Sequence, residues 1–395
     1  MGGAPLSLLY LLRQLDRARY EPVVVTLKPG PVVDLYRAEG IETRVEQGIS
    51  DFSHTTLEWY GGRDWWRLPG KLLRVPASIR RTRRLVEDIN PDLVHLNSST
   101  LAPAALGCAR AGVPIVWHIR EPLARGYLGI RRGLIRQVIH RHAARVVAIS
   151  QHDADQLIPG EQIRVIHNFV DFDQFDRTLS GDAVRKELAI DPGVPVVVML
   201  GGIAEPKGTL VLVRALPQLL RKVPGARVIV AGPPPKPLAE PGLKGFAKRR
   251  LRVDAYQQAV ADALDRLDAQ ARQAIIFTGI RQDIPAVLAA CDCLVFPSVV
   301  PHFARPVIEA AAMAKPAVAS DLGGPRELVV DGETGLLVPP NAPDALADAL
   351  AGLLVSPDRA RAMGEAAYRR ALMMFDAAKN AAATIALYDD ILGPG

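Results

Sequence analysis

The sequence has few aromatic residues, few cysteines and no long uninterrupted hydrophobic run. Aromatic side chains make up 5% of the 395 residues, which argues against a stacking platform for nucleic-acid bases. No stretch reaches the roughly eighteen consecutive apolar residues of a membrane-spanning helix. Cys108, Cys291 and Cys293 lie in apolar segments without cysteine or histidine partners at metal-ligand spacing. They are therefore predicted to be reduced core residues, which favours a cytoplasmic protein.

The length and the charge of the chain indicate its domain number and the kind of partner it binds. A chain of 395 residues, 49% of them hydrophobic, exceeds what one hydrophobic core usually organises, so two α/β domains are expected. Residues 60–150 contain 16 Lys and Arg against 5 Asp and Glu, an excess of 11. Such a basic first half suggests an anionic partner.

Short runs rich in Val and Ile alternate with helical stretches, and the rhythm occurs twice. Because these runs are almost continuously apolar, they predict parallel strands buried on both faces, hence two doubly wound Rossmann-like domains facing a central cleft. The division is expected near residue 178, giving domains 1–177 and 178–375. A domain of this kind normally opens with a strand, yet the sequence starts in a glycine-containing loop, so the first strand is expected to be missing. The predicted strands are 22–27, 93–96, 114–119, 145–149 and 164–167, then 194–200, 227–231, 274–278, 293–296, 317–320 and 335–338.

The most informative segment is 296–338. A strand ends at Pro297-Ser298, a loop follows, and a helix is predicted to begin near Pro306, where proline suits the first turn. A helix start directly after a strand offers free amides and a positive dipole end, which favour a diphosphate. Glu309, one turn further on, could accept hydrogen bonds from both hydroxyls of a ribose.

This segment resembles the donor-site signature of glycosyltransferase family 4, the retaining GT-B enzymes. The resemblance extends over nearly the whole chain, because further motifs occur in the family's order. They are Gly2-Gly3 before an amphipathic helix, Pro91-Asp92-Leu93-Val94-His95, the strand ending in His118, Ile166-His167-Asn168 with Val170-Asp171, Gly201-Gly202, and Lys207-Gly208.

The resemblance implies α-glycosyl transfer from a UDP- or GDP-sugar, without metal or other cofactor, onto a saccharide or lipid-linked acceptor. It implies that Lys207 neutralises the diphosphate, Glu309 holds the ribose and His118 approaches the sugar ring. It also implies that the C-terminal domain binds the donor, the N-terminal domain binds the acceptor, and helix 376–395 packs back on the N-terminal domain. The remaining expected donor-binding residues are Gly2, Gly3, Gly201, Gly202, Gly279, Ile280, Arg281, Phe303, Ala304, Arg305, Pro306, Gly323 and Gly324.

Two positions depart from the family's pattern. The first of its paired glutamates would fall eight residues before Glu309, where Pro301 stands, so His302 is considered a catalytic substitute. The arginine that often precedes the Lys-Gly pair is Gly202 here, and Arg305 could compensate for it. These departures leave open a degenerate protein that binds nucleotide without turnover, and a nucleotide-sugar epimerase is a further alternative.

Other interpretations concern single segments. Lys207 could be a solvated turn lysine, Glu309 could only complement a helix dipole, and Asp171-Phe172-Asp173 matches a metal-binding Asp-x-Asp by coincidence. Residues 62–84 combine tryptophans and leucines with eight arginines and lysines. They predict either a solvated basic helix or an anionic membrane surface site, which would place the protein at the inner face of the membrane.

Overall fold

A computed structural model describes residues 3–51, 68–123, 129–233 and 255–393. The chain divides into two compact units. The N-terminal unit comprises residues 1–169 together with 376–395, and the C-terminal unit comprises Val170–Phe375. Both are built on parallel sheets, so the predicted α/β class is confirmed.

The strands and helices follow in chain order. The strands are β1 (Val23–Thr26), β2 (Glu42–Val45), β3 (Val94–Leu96), β4 (Ile115–Ile119), β5 (Arg145–Ala148), β6 (Ile163–Val165), β7 (Val196–Leu200), β8 (Arg227–Ala231), β9 (Ile275–Gly279), β10 (Cys293–Phe296), β11 (Ala317–Ser320) and β12 (Gly335–Val338). The helices are α1 (Gly3–Arg13), α2 (Pro31–Ala38), α3 (Leu68–Ile89), α4 (Ala102–Ala111), α5 (Ile130–His142), α6 (Gln151–Ala154), α7 (Asp182–Glu187), α8 (Thr209–Lys222), α9 (Ala255–Asp265), α10 (Ala269–Ala274), α11 (Ile284–Ala289), α12 (Arg305–Ala312), α13 (Gly323–Leu328), α14 (Pro343–Leu354), α15 (Pro357–Met374) and α16 (Ala377–Leu392).

The N-terminal unit contains a four-stranded parallel sheet, β3-β4-β5-β6, and a separate two-stranded parallel sheet, β1-β2. Alternation along β4 assigns helices to the two faces of the larger sheet. Trp117 points into the core formed with α3, α4 and α5, whereas Val116 points to the opposite face, where α1 and α16 pack. The C-terminal helix α16 is therefore part of the N-terminal unit's core.

The C-terminal unit contains one six-stranded parallel sheet in the order β12-β11-β10-β7-β8-β9. The central strand β7 is fully apolar and buried along its whole length, as expected for a strand covered by helices on both faces. From β7 the chain proceeds outward to β8 and β9, and then returns to β10 on the other side. The strand order thus reverses between β7 and β10, and open α/β sheets bind ligands outside the carboxyl ends of strands at such a point.

The cysteine prediction is confirmed: Cys108, Cys291 and Cys293 are buried free thiols. Burial raises the pKa of the Cys108 and Cys291 thiols to about 12, so both are protonated packing residues. Within the described ranges, no helix combines the length and the apolar character needed to cross a bilayer.

Candidate functional site

Two loops meet at the switch point of the C-terminal unit. After β7, a 3-10 turn over Glu205–Lys207 leads into α8, and after β10 the chain passes through residues 297–304 to α12. Gly208 joins the first loop to the second. Its φ is +73°, and a Cβ there would lie 1.7 Å from the carbonyl oxygen of Pro297. Only glycine permits this approach, and it holds Lys207 beside the end of β10.

The Lys207 ammonium contacts an imidazole. Lys207 Nζ lies 3.3 Å from His302 Nε2. On the other side of the ring, His302 Nδ1 lies 3.0 Å from the carbonyl oxygen of Val300. A carbonyl can only accept, so Nδ1 carries the proton and Nε2 accepts from the lysine. Ser298 Oγ, 3.2 Å from Nδ1, further fixes the ring.

The electrostatics of this pair follow from burial. Burial, followed by the neighbouring Lys207 charge, lowers the pKa of His302 to about 4. Burial also lowers the pKa of Lys207, while the carboxylate of Glu309 acts in the opposite direction. At neutral pH His302 is therefore a neutral acceptor, which positions the amine without adding a second charge.

An aromatic ring completes the surroundings of Lys207. Phe296 is the last residue of β10 and is buried. Lys207 Nζ lies 5.1 Å from the centroid of its ring, within cation–π distance, and the ring also packs against His302 at a centroid distance of 5.3 Å. The sequence prediction missed both Phe296 and Ser298, although each lies where a buried strand gives way to the predicted donor loop.

Helix α12 begins beside this pair, one residue before the predicted start. Its first turn is capped by no side chain, because the N-cap residue is Ala304, so the positive end of the helix lies close in sequence to His302, the partner of Lys207. Phe303 and Ala304 are buried. Gly324, at the start of α13, packs so closely that a Cβ would lie 2.5 Å from the carbonyl oxygen of His302. This contact brings the predicted Gly323-Gly324 loop to the site.

Glu309 and Arg305 form an ion pair one turn apart on α12. Arg305 Nε lies 2.8 Å from Glu309 Oε1, and both side chains are largely buried, with exposures of 17% and 13%. Arg305 is thus engaged by Glu309 in this structure. Together with Lys207, the two residues place two cations and one carboxylate around the start of α12.

The expected donor-binding residues Gly279, Ile280 and Arg281 lie at the end of β9 and directly after it. Gly279 has a φ of +74°, and its carbonyl accepts from the N–H of Gly232 at 2.7 Å, which ties the loop to the end of β8. Ile280 is 73% exposed. Arg281 forms ion pairs with Asp283 and Glu187. Its guanidinium is therefore held by carboxylates, and the loop offers backbone and the Ile280 side chain to a ligand.

His118 lies in the N-terminal unit and is buried on the α16 side of β4. Its ring is 5.3 Å from the ring of His95, whose Nδ1 is hydrogen bonded to Tyr388 Oη of α16 at 2.7 Å. Neither nitrogen of His118 has a hydrogen-bond partner within the described part of the chain. Burial, then the Arg120 charge, lowers the pKa of His118 well below its usual range and that of His95 to about 3. Two neutral imidazoles thus lie side by side.

A polar network that the sequence prediction missed lies at the carboxyl ends of β3 and β4. Arg120 Nε and Nη1 donate to the side-chain oxygens of Asn97 and Asn168, each at 2.7 Å. Glu121 accepts from the N–H and the hydroxyl of Ser99 at 2.8 Å. The signal for it is a pair of polar segments, 97–100 and 120–121, which directly follow the strands β3 and β4.

The remaining predicted residues are placed as follows. Gly3 begins α1, and Gly2 lies outside the described residues. Gly201 is next to the lysine stem, because a Cβ there would lie 3.4 Å from Lys207 Cε. Asp171 Oδ1 accepts from the N–H of Asp173 at 3.0 Å, which makes Asp-x-Asp a local turn.

Two parallel-sheet units, the second with Lys207, Arg305 and the start of α12 at its switch point, indicate the class of protein. Two family profiles match it: Glycosyltransferase Family 4 over residues 1–174 and Glycosyl transferases group 1 over residues 181–370. D-inositol 3-phosphate glycosyltransferase 2 of Catenulispora acidiphila is 29% identical over 91% of this chain and 82% of its own length. D-inositol 3-phosphate glycosyltransferase of Nocardia farcinica is 33% identical over 82% of this chain, but the match covers only 63% of that relative.

A solved structure agrees with these matches. That of Anabaena HepE in complex with UDP and glucose superposes with a TM-score of 0.74 at 22% identity, covering 98% of this chain and 96% of that one. At this identity the likeness supports the fold alone. The chain belongs to the GT-B glycosyltransferases of family 4.

Proposed function

We propose that this glycosyltransferase moves a hexosyl group from a UDP- or GDP-sugar onto its acceptor with retention of configuration and without a metal ion. The observation that carries the proposal is the contact between Lys207 and His302 beside the uncapped start of α12. A nucleoside diphosphate is the leaving group of such a donor. An ammonium and a helix N-terminus are the groups that stabilise negative charge developing on it.

The other site residues have distinct roles in this proposal. Glu309 accepts hydrogen bonds from the ribose hydroxyls, and Arg305 holds that carboxylate in place through the contact at 2.8 Å. The backbone at Gly279-Ile280, with Gly201-Gly202 and Gly323-Gly324, contacts the remainder of the nucleotide. The same ion pair makes Arg305 a supporting residue rather than an independent phosphate ligand.

Retention is proposed to occur by front-face attack. Pro301 supplies no carboxylate where the family's first glutamate stands, and His302 Nδ1–H is engaged by Val300. The phosphate oxygen of the donor is then the base that takes the acceptor proton while the bond to the sugar breaks. His302 holds Lys207 instead of acting on the sugar, which revises its expected role as a substitute catalyst.

The N-terminal unit is proposed to bind the acceptor. Two relatives are named for D-inositol 3-phosphate, and the excess of 11 positive charges over residues 60–150 suits an anionic acceptor of that kind. The same positive charge would attract a lipid-linked acceptor with an anionic headgroup. In that case the basic helix α3 would contact the membrane surface.

Calorimetry with UDP and GDP, followed by a donor-hydrolysis assay with and without EDTA, tests the proposal. We expect one nucleotide to bind, sugar release to continue in EDTA, and NMR of the first-formed product to show the α anomer. Binding without sugar release would favour the degenerate alternative, whereas a change at one sugar carbon, without transfer, would favour the epimerase. A β anomer would contradict retention, and loss of activity in EDTA would contradict metal independence.

A further inference from the structure

Helix α3 has an unusual outward face. Its inward residues, among them Ile79, Thr82 and Val86, are buried. At helical spacing on the opposite side lie Leu73, Arg80 and Arg84, and Leu73 is 81% exposed. The apolar part of this face is at the N-terminal end of the helix, and the cationic part follows it.

Helix α5 repeats the arrangement. Ile135 and Ile139 face the core, whereas Ile130 and Leu134, one turn apart, are 64% and 62% exposed. Polar residues occupy the outward face toward the C-terminal end. With Leu72, which is half exposed although it lies two turns before Ile79 on the inward side of α3, four exposed large apolar side chains lie near the starts of the two helices.

The topology places the N-terminal ends of α3 and α5 at the same edge of the N-terminal unit. Four residues connect α3 to β3 and two connect α5 to β5, so both helices finish at the amino edge of the parallel sheet. At 1.5 Å per residue, Leu73 lies about 24 Å and Ile130 about 18 Å along the helix axes from those ends. Helix α4 packs against both α3 and α5. The exposed apolar residues therefore form a rim on the carboxyl side of one helical layer.

The charge behind this rim is positive. Residues 68–86 contain six Lys and Arg and no Asp or Glu. Arg80 and Arg84 form no ion pair with any residue of the described ranges. With Arg81 they line an open groove of about 710 Å³, whose acidic members are Glu46 and Asp88. Glu46 is already paired with Arg81, so the groove keeps an excess of positive charge.

We propose that this rim docks on an anionic lipid bilayer. Leu72, Leu73, Ile130 and Leu134 enter the boundary between headgroups and acyl chains, and Arg80 and Arg84 face the lipid phosphates. Arg80 follows Leu73 at about 10 Å along the helix, and an interfacial helix buries its apolar face by about 5–10 Å. Apolar groups with cations beside and behind them suit the boundary between acyl chains and anionic headgroups, whereas a second copy on the same face would oppose like charges.

Docking would place the carboxyl edge of the N-terminal sheet at the membrane, where the polar network of Arg120 and Glu121 lies. Access to a lipid-linked acceptor through that edge rests on the proposed function. Binding to lipid does not, because it requires only the two helix faces. A failure of docking and a failure of catalysis can therefore be told apart.

The test is flotation of the full chain, without donor, on vesicles of phosphatidylcholine alone or with roughly a third phosphatidylglycerol. The apolar variant is Leu73→Ser with Leu134→Ser, and the charge variant is Arg80→Gln with Arg84→Gln. Each removed arginine is worth about 1 kcal/mol near an anionic surface, so the charge variant should bind about 30-fold more weakly. The apolar variant should lose at least about tenfold, since burying an exposed leucine contributes a similar free energy.

Matched controls come from the C-terminal unit. Met373→Ser removes a side chain that is 69% exposed, and Arg214→Gln with Arg221→Gln removes two exposed cations of α8. Both should float like the unmodified chain, and circular dichroism checks that every variant is folded. The proposal is overturned if the unmodified chain stays with the soluble fraction, or if the rim variants float as well as the controls. It is also overturned if sedimentation velocity shows that the rim variants dissociate a dimer, because the rim would then be a self-association surface.

Discussion

Replacing Lys207 by alanine removes the cation that the switch point presents to a donor diphosphate. In the structure the ammonium is held by His302 Nε2 at 3.3 Å and by the Phe296 ring. Burial keeps His302 neutral, with a pKa of about 4, so the imidazole cannot replace the lost charge at neutral pH. Arg305 is paired with Glu309 and could turn to the phosphates only by releasing that carboxylate.

Because no neighbouring side chain among the described residues replaces the Lys207 charge, the loss of nucleotide affinity and of turnover can be estimated from that one cation. A hydrogen bond from a charged group contributes about 1.5–3 kcal/mol, so UDP should bind roughly 10- to 150-fold more weakly. Charge on the leaving group is larger in the transition state than in the bound donor. Turnover should therefore fall by about 10²–10³-fold, as when a donor to a developing oxyanion is removed.

The assay is steady-state donor hydrolysis, together with calorimetry of UDP and GDP binding. Lys207→Arg should recover part of the affinity because it restores the charge. Lys222→Ala is the matched control, since Lys222 is half exposed and pairs with Asp348 on the surface of the same unit. An alanine variant at 207 that releases sugar at the unmodified rate would refute the diphosphate assignment.

Three further predictions concern the packing around the two candidate sites. Gly208→Ala should destabilise the C-terminal unit by several kcal/mol, at least about 1–3 of them from the left-handed backbone alone, measured by urea unfolding. Tyr388→Phe should cost about 1–3 kcal/mol in the N-terminal unit, because the buried Nδ1 of His95 loses its partner; thermal unfolding measures this loss. The low pKa values of His95, about 3, and His302, about 4, mean that the unfolded chain binds more protons below 6.5. Stability should therefore fall as the pH drops from 6.5 toward 4, by about 1.4 kcal/mol per unit for each histidine at most.

Control variants separate these effects from general damage. Gly352→Ala lies in helix α14 with open space around it, and it should leave stability unchanged or raise it by up to about 1 kcal/mol. His140→Asn changes an exposed histidine, and the pH dependence should persist. His302→Asn should flatten the acid dependence of the C-terminal unit. An unchanged slope in that variant would show that His302 is not the group responsible.

The strands of the C-terminal unit could be predicted from the sequence because each of them is a short, almost continuously apolar run. The run Val196–Leu200 is apolar throughout, as a strand covered on both faces must be. Of the twelve strands in the part of the chain that the structure describes, eleven occur where predicted, within two residues. The exception is β2, whose sequence Glu-Thr-Arg-Val contains three polar residues and a single apolar one, so it lacks the apolar pattern of a buried strand. It becomes a strand only by pairing with β1.

The contacts within the site could not be predicted, because they depend on strand order. Lys207 and His302 are 95 residues apart and meet only because β7 lies next to β10. His95 and Tyr388 are 293 residues apart, and their hydrogen bond requires α16 to pack on the face opposite α3. The ion pair of Arg281 could not be predicted for the same reason, since its partner Glu187 is 94 residues away in the sequence. Local motifs indicate which residues carry chemistry, but not which side chains neutralise them.

The most direct test is a structure of the full chain with the bound nucleoside diphosphate that calorimetry selects. We expect phosphate oxygens within hydrogen-bond distance of Lys207 Nζ and of the first-turn amides of α12, with the ribose hydroxyls on Glu309. A nucleotide bound with its phosphates away from Lys207 and α12 would show that the switch point of the C-terminal unit is not the diphosphate site.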